Sequence, residues 1–236
     1  GYAHQRSSIR LRQDDDPVEY GVNPVAEWMP YQAGQAKKAE ELEAKLKEAT
    51  CEPTETEVEG KKVPIEYVLG VCNLMLVAGV DTTWSAIGST LWHMAQHPEH
   101  RKQLRDNPDL WPTAIEELLR VYAPVTMARI VDHDIEFQGC PMKAGDRVLM
   151  AFPAANRDPR QFENPDEVIL DRENNRHVAF GSGIHRCAGS NLARLELRVA
   201  LQTWLARIPE FELVDPSSVT WAGGQVHGPR RCMVKF

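Results

Sequence analysis

From Pro64 onward the sequence enters the stretch that most constrains its fold. Apolar residues dominate through Val80 and continue at Ile87, Leu91 and Met94. Together they make about eight helical turns, with the proline where a first helical turn accepts it. A helix this long and apolar is expected to cross the interior of its domain. Its longest mostly apolar run, Tyr67 to Val80, is interrupted by Asn73 and ends at Asp81, short of the roughly 20 residues of a membrane span. The expectation is a buried helix and no membrane. A chain of 236 residues, 42% of them hydrophobic, holds one large domain or two small ones and can bury a core around such a helix.

Downstream, His97-Pro98 and Asn107-Pro108 mark two further helix starts, the second running through AIEELLRV until Ala123 precedes Pro124. Between Val125 and Phe152 the pattern changes to short extended runs, ARIV, DIEF and RVLMAF, divided by turn residues, which predicts a small sheet. A helix returns from about Ala188 to Ile208, and the weakly alternating tail suits a terminal hairpin. The fold class is mainly α with a small β region. Ahead of Pro64, residues 1–35 read as loop, and AKKAEELEAKLKEA at 36–49 reads as a solvated helix with Glu41–Lys45 and Glu43–Lys47 pairs. CEPTETEVEGKKVP then predicts a surface loop or short hairpin. The chain is expected to divide into an N-terminal segment, 1–63, and a core, 64–236.

A net charge of −7 carries no basic footprint, so nucleic acid is not expected as a partner. The five cysteines, at 51, 72, 140, 187 and 232, are odd in number, scattered and never arranged C-x-x-C, which argues against a disulfide framework. GYAHQRSSIRLRQDDD has neither the apolar core of a signal peptide nor an anchor, and a reducing cytoplasm is the expected compartment.

Chemistry concentrates at Phe180-Gly181-Ser182-Gly183-Ile184-His185-Arg186-Cys187-Ala188-Gly189, where a glycine-punctuated loop delivers a cysteine to the start of a helix. Helix N-terminal N–H groups favour a thiolate, and the small neighbours let a flat ligand approach the backbone. His185 and Arg186 add partners for acidic groups. On residue type alone, a buried structural cysteine in a turn is an equally good reading. The segment resembles the haem-binding signature of the cytochrome P-450 family, F-x-x-G-x-x-x-C-x-G, through Phe180, Gly183, Cys187 and Gly189. That resemblance implies haem b ligated by the Cys187 thiolate, whose electron density favours O–O cleavage. It also places Phe180, Gly181 and Gly189 around the cofactor. A zinc site of His177, His185 and Cys187 is a weaker rival, since the spacing matches no closed tetrahedral pattern.

Two further segments resemble the same family. Glu117 and Arg120, at i,i+3 spacing, are by themselves an ordinary ion pair. The resemblance makes them the family's Glu-x-x-Arg pair, completed by Arg172 in NPDEVILDR as a structural brace, not a catalyst. Ala78-Gly79-Val80-Asp81-Thr82-Thr83 reads on its own as a helix emerging into solvent, with threonines able to bend it. It is similar to the family's A-G-x-D/E-T segment, which implies Asp81 and Thr82 as the acid and alcohol that relay protons, with Ala78 and Gly79 beside the cofactor. By the same resemblance Arg129 and His185 meet the haem propionates, and Val77, Val80, Val125 and Thr126 line the substrate pocket.

The function so implied is a monooxygenase that inserts one atom of dioxygen into an apolar small molecule, with electrons from a ferredoxin or flavin-type donor. The alternative is a truncated, non-catalytic haem-binding fragment, because family members are nearly twice this length. A peroxide-driven enzyme is disfavoured by the presence of the acid and alcohol pair.

Overall fold

In the computed structural model, which describes residues 8–12, 57–58 and 60–236, Ile65–Gln96 forms one unbroken helix of 32 residues, α1. The helix expected at 36–49 lies outside the described residues, as does most of the 1–63 segment. Among the described residues two compact units divide within α1, between Ala78 and Gly79.

Ahead of α1 lie strand β1 (Ser8–Arg12) and a hairpin of β2 (Glu57–Val58) and β3 (Lys61–Lys62), in register Glu57↔Lys62 and Val58↔Lys61. Gly60, at φ +73°, supplies the left-handed backbone this turn requires.

The first half of α1 corrects one expectation. Tyr67, Leu74, Met75, Leu76, Val77 and Val80 are each about two-thirds exposed (65–69%), and the buried residues of the helix begin at Ser85. Only the C-terminal half is an interior helix. By length and composition alone α1 is long and apolar enough to cross a membrane, a criterion that the core helix of a soluble protein also meets. Asn73 and Asp81 do not end the helix, because either residue costs a helix interior only about half a kcal/mol.

From Gly79 on, the second unit continues through α2 (Pro98–Asp106), a 3₁₀ turn at Pro108–Leu110 and α3 (Trp111–Val121). Proline occupies the first turn of each, where its missing N–H is no loss. The buried stripe of α3, Trp111, Ala114, Ile115, Leu118 and Leu119, repeats at helical spacing. Packed against α3 is α5 (Ser190–Arg207), whose Leu197, Leu201 and Leu205 are buried one turn apart.

Between these helices the expected sheet forms as two separate antiparallel ladders. Strand β4 (Met127–Ile130) pairs β7 (Arg147–Met150), and β5 (Ile135–Phe137) pairs β6 (Cys140–Met142) around the tight turn at Gln138 and Gly139. A one-turn helix, α4 (Phe152–Ala155), precedes a long irregular passage. The terminal hairpin forms from β9 (Thr220–Trp221) and β10 (Pro229–Lys235), in register Pro229↔Trp221, and β10 also pairs antiparallel with β8 (Glu212–Leu213), in register Val234↔Leu213. Its approach to α1 is close enough to demand small residues. A Cβ on Gly228 would sit 2.6 Å from that of Ser85, and one on Gly88 would sit 3.0 Å from Pro229 Cγ.

Candidate functional site

The Cys187 loop is held by its own backbone. Gly181 and Gly183, at φ +71° and +66°, take conformations that strain other residues, and from the second of them the chain folds into a 3₁₀ turn at Gly183–His185. Gly181 N–H donates to Val178 O, and Cys187 N–H reaches back to Phe180 O at 2.9 Å, closing the loop onto its own start. The helix expected from about Ala188 begins at Ser190 with Gly189 as its cap, so Cys187 precedes the first turn. Its thiol is exposed, and a Cβ on Gly189 would come within 3.9 Å of the sulfur.

Glu117, Arg120 and Arg172 come together as a buried cluster. Arg120 donates through Nε and Nη2 to the two carboxylate oxygens of Glu117, both at 2.8 Å, and Arg172 Nε adds contacts of 3.0 and 3.1 Å. Ile169 N–H and Asn175 Nδ2 complete the shell at 2.9 and 3.0 Å. Burial works to raise the pKa of Glu117, and the donors, Arg120 foremost, overcome it and hold the carboxylate ionised. Arg120 spends its remaining donors on the carbonyls of Asn156, Pro165 and Glu167. Asn156, fully buried, bonds Arg120 O and Val178 N–H, which carries the brace into the segment leading to the cysteine.

A second network escaped the sequence reading. Arg194 of α5 donates to Glu116 at 2.5 and 2.9 Å, and its guanidinium lies 4.6 Å over the centre of the Phe180 ring. His177 accepts from Ala179 N–H on Nδ1, so its proton sits on Nε2 and is donated to Glu116 at 3.0 Å. Burial pushes the Glu116 pKa upward, but the hydrogen bonds from His177 and Arg194, with the Arg194 charge, bring it down to about 2. The Cys187 sulfur adds to the field that raises the pKa of Arg194, after Glu116 itself. Nothing in the sequence pairs residues separated by 61 and 78 positions. The sole hint was a second carboxylate beside Glu117.

The remaining site residues are more dispersed. Asp81 is exposed and lines a recess with Ser85, Val226, Gly228, Pro229 and Arg230, while Thr82 beside it is partly buried. Ala78, Gly79, Val77 and Val80 lie on the exposed part of α1. Val125 bridges Val226, and Thr126 N–H donates to Gln225 O, which ties the end of α3 to the terminal hairpin. Arg129, on β4, is exposed and donates to its neighbour's carbonyl, Ala128 O. His185 is exposed at the end of the 3₁₀ turn. His177, bonded to Glu116, does not join His185 and Cys187. Among the described residues, the histidine, cysteine and acidic groups close enough to hold a metal lie elsewhere.

An exposed thiol between small residues, with Ile184 96% exposed beside it and His185 and Arg186 exposed as hydrogen-bond donors, fits a flat apolar group that carries acidic edges. Gly79 and Gly183 leave open space where a side chain would stand.

Residues 32–218 match the family model described as Cytochrome P450. A protein of Sinorhizobium fredii named probable cytochrome P450 127A1 is 42% identical over 174 residues, covering 74% of this chain and 42% of the relative. The biotin biosynthesis cytochrome P450 of Bacillus subtilis is 42% identical over 158 residues, 66% of this chain and 40% of that one. Among solved structures, the mixed-function P450 MycG superposes with a TM-score of 0.73 at 33% identity, covering 89% of this chain and 56% of that chain. The chain thus spans about two-fifths of the length of these curated relatives.

Proposed function

The chain belongs to the cytochrome P450 family, and from that membership we propose that it carries the proximal half of a cytoplasmic monooxygenase acting on an apolar small molecule. Electrons come from a ferredoxin or flavin-type donor. The observation that carries this reading is the Cys187 loop, an exposed thiol on glycine-shaped backbone, held by Asn156 to the Glu117–Arg120–Arg172 brace.

Cys187 would hold haem b, which when bound would supply the reductive activation of dioxygen. This chain's residues do the rest. Phe180, Gly181 and Gly189 shape the contact surface beside the sulfur. His185 and Arg129 would bind the acidic edges, and Ala78 and Gly79 would offer the group a small-residue surface. Asp81 takes protons from solvent, which its exposure allows, and Thr82 passes them on through its hydroxyl. Val77, Val80, Val125 and Thr126 present the substrate surface. Relatives' names span biotin and polyketide biosynthesis and nocardicin C N-oxygenation, so family membership sets the reaction type and not the substrate.

The second reading, a haem-binding fragment without turnover, is favoured by the two-fifths coverage of the relatives. A spectrum of the reduced, carbon-monoxide-bound protein tests the ligand. A thiolate-type band is expected, and Cys187→Ala should abolish it; a band that persists in the variant sinks the assignment. Substrate-dependent consumption of the electron donor then separates enzyme from fragment.

A further inference from the structure

Away from the cysteine loop, the junction of α1 and α2 gathers three imidazoles that the proposed function does not use. His93 stands in the last turn of α1, His97 follows four residues on as the cap of α2, and the His97-Pro98 step turns the chain so that His100 stands in the first turn of α2. One ring nitrogen from each lies within 4.8 Å of the other two. His93 is buried, and His97 and His100 are partly exposed, so the group opens to solvent on one side.

The outer partners give the cluster its direction. His93 Nδ1 bonds the Tyr122 hydroxyl at 2.8 Å, and His97 Nδ1 bonds the Glu99 carboxylate at 2.7 Å. The Glu99 bond holds a proton on His97 Nδ1 and leaves its Nε2 lone pair for the centre, and the Tyr122 hydroxyl, able to accept, permits the same tautomer of His93. A carboxylate behind a ligating imidazole, as Glu99 stands behind His97, is a usual outer support of a metal-binding histidine. His93 Nε2 faces His100 Nδ1 at 2.8 Å, the contact of one shared proton.

We infer that His93, His97 and His100 form a three-imidazole site for a divalent first-row transition ion, Zn²⁺ foremost, with water in the fourth position. Zinc–nitrogen bonds of about 2.0–2.1 Å place two tetrahedral ligands about 3.3 Å apart. The His93–His100 contact must therefore open by about half an ångström, while the other separations, all within 4.8 Å, close by at most about 1.5 Å. Both movements fall to the partly exposed rings of His97 and His100, with His93 fixed by Tyr122. His100 changes tautomer, carrying its proton on the outer Nε2 and offering Nδ1 to the ion, so no net proton is released. The bound ion would link the end of α1 to the start of α2.

The test uses the chelator-stripped 236-residue chain titrated with Zn²⁺ by calorimetry and followed by thermal melting. One equivalent should bind with a dissociation constant in the micromolar range or below, and Tm should rise until that equivalent is reached. His97→Ala and His100→Ala, chosen because neither is fully buried, should each weaken binding at least tenfold while keeping the circular-dichroism spectrum. Glu99→Ala should weaken it by about tenfold, through the lost outer hydrogen bond. Cys187→Ala should bind as before, which separates this site from the thiol. The absence of saturable binding below about 100 µM, or binding unchanged in both histidine variants, overturns the proposal.

Discussion

At the scale of single residues, two adjacent glutamates on α3 divide the labour of holding the cysteine segment. Glu117 is enclosed by Arg120, Arg172, Asn175 and Ile169 N–H, and removing one guanidinium leaves a buried carboxylate short of its main donor. Arg120→Ala should lower stability by about 3–5 kcal/mol in urea titration, the cost of an uncompensated buried charge. A loss under about 1 kcal/mol would show the carboxylate to be solvated. Glu116 lends itself to a pH test. Its folded pKa of about 2 lies below the ordinary value of 4.5, so its contribution is complete above about 4.5 and is lost as pH falls toward 2. Melting temperature should fall through that window, and Glu116→Gln should flatten the fall; an unchanged slope would refute the assignment. The Glu117–Arg120 contact was legible from i,i+3 spacing, and Arg172 through the family pattern. His177 and Arg194 were not, because the partners of Glu116 come from a loop and a helix that only tertiary folding brings near.

At the scale of elements, the seam between α1 and the start of β10 depends on missing side chains. Gly228 faces Ser85 so closely that an added methyl would meet Cβ at 2.6 Å and Cα at 2.9 Å, both attached to a helix backbone that cannot move aside. Gly228→Ala should therefore destabilise by about 1–3 kcal/mol, an overpacking cost. Equal melting temperatures for variant and parent would mean that the terminal hairpin does not seat on α1. Helix positions proved easy to read where proline marked a start or apolar spacing marked a face, as in α2 and α3. The β region was legible as extended chain but not as two separate ladders. Pairing depends on the Gln138-Gly139 turn and on which edges meet, and alternation along one strand does not encode its partner.

At the scale of the whole molecule, the exposed half of α1 governs behaviour in solution. Leu74, Met75, Leu76, Val77 and Val80 are each about two-thirds exposed (65–69%) within two turns of the helix, and clustered exposed apolar side chains of this kind mark a surface prone to association. The chain on its own should associate with rising concentration in sedimentation experiments. Leu74→Lys with Leu76→Lys should suppress this while leaving Tm within about a degree, since neither side chain is buried. Monomeric behaviour of the parent chain at about 100 µM would contradict it.

The sequence by itself determined the order of the helices, the glycine-shaped cysteine loop and the family to which it belongs, because those depend on local propensity and on short motifs whose members lie within a few positions. Tertiary structure alone decided which half of α1 is buried, how the cysteine segment is tied through Asn156 to the brace, and that Glu116, His177 and Arg194 form a second support. Burial depends on what packs against a helix, and hydrogen-bond partners tens of residues apart are chosen by the fold as a whole, so neither is written in the local pattern. The three histidines at the α1–α2 junction stand between the two cases. Their spacing is plain in the chain, and only the turn at His97-Pro98 points their rings toward one another.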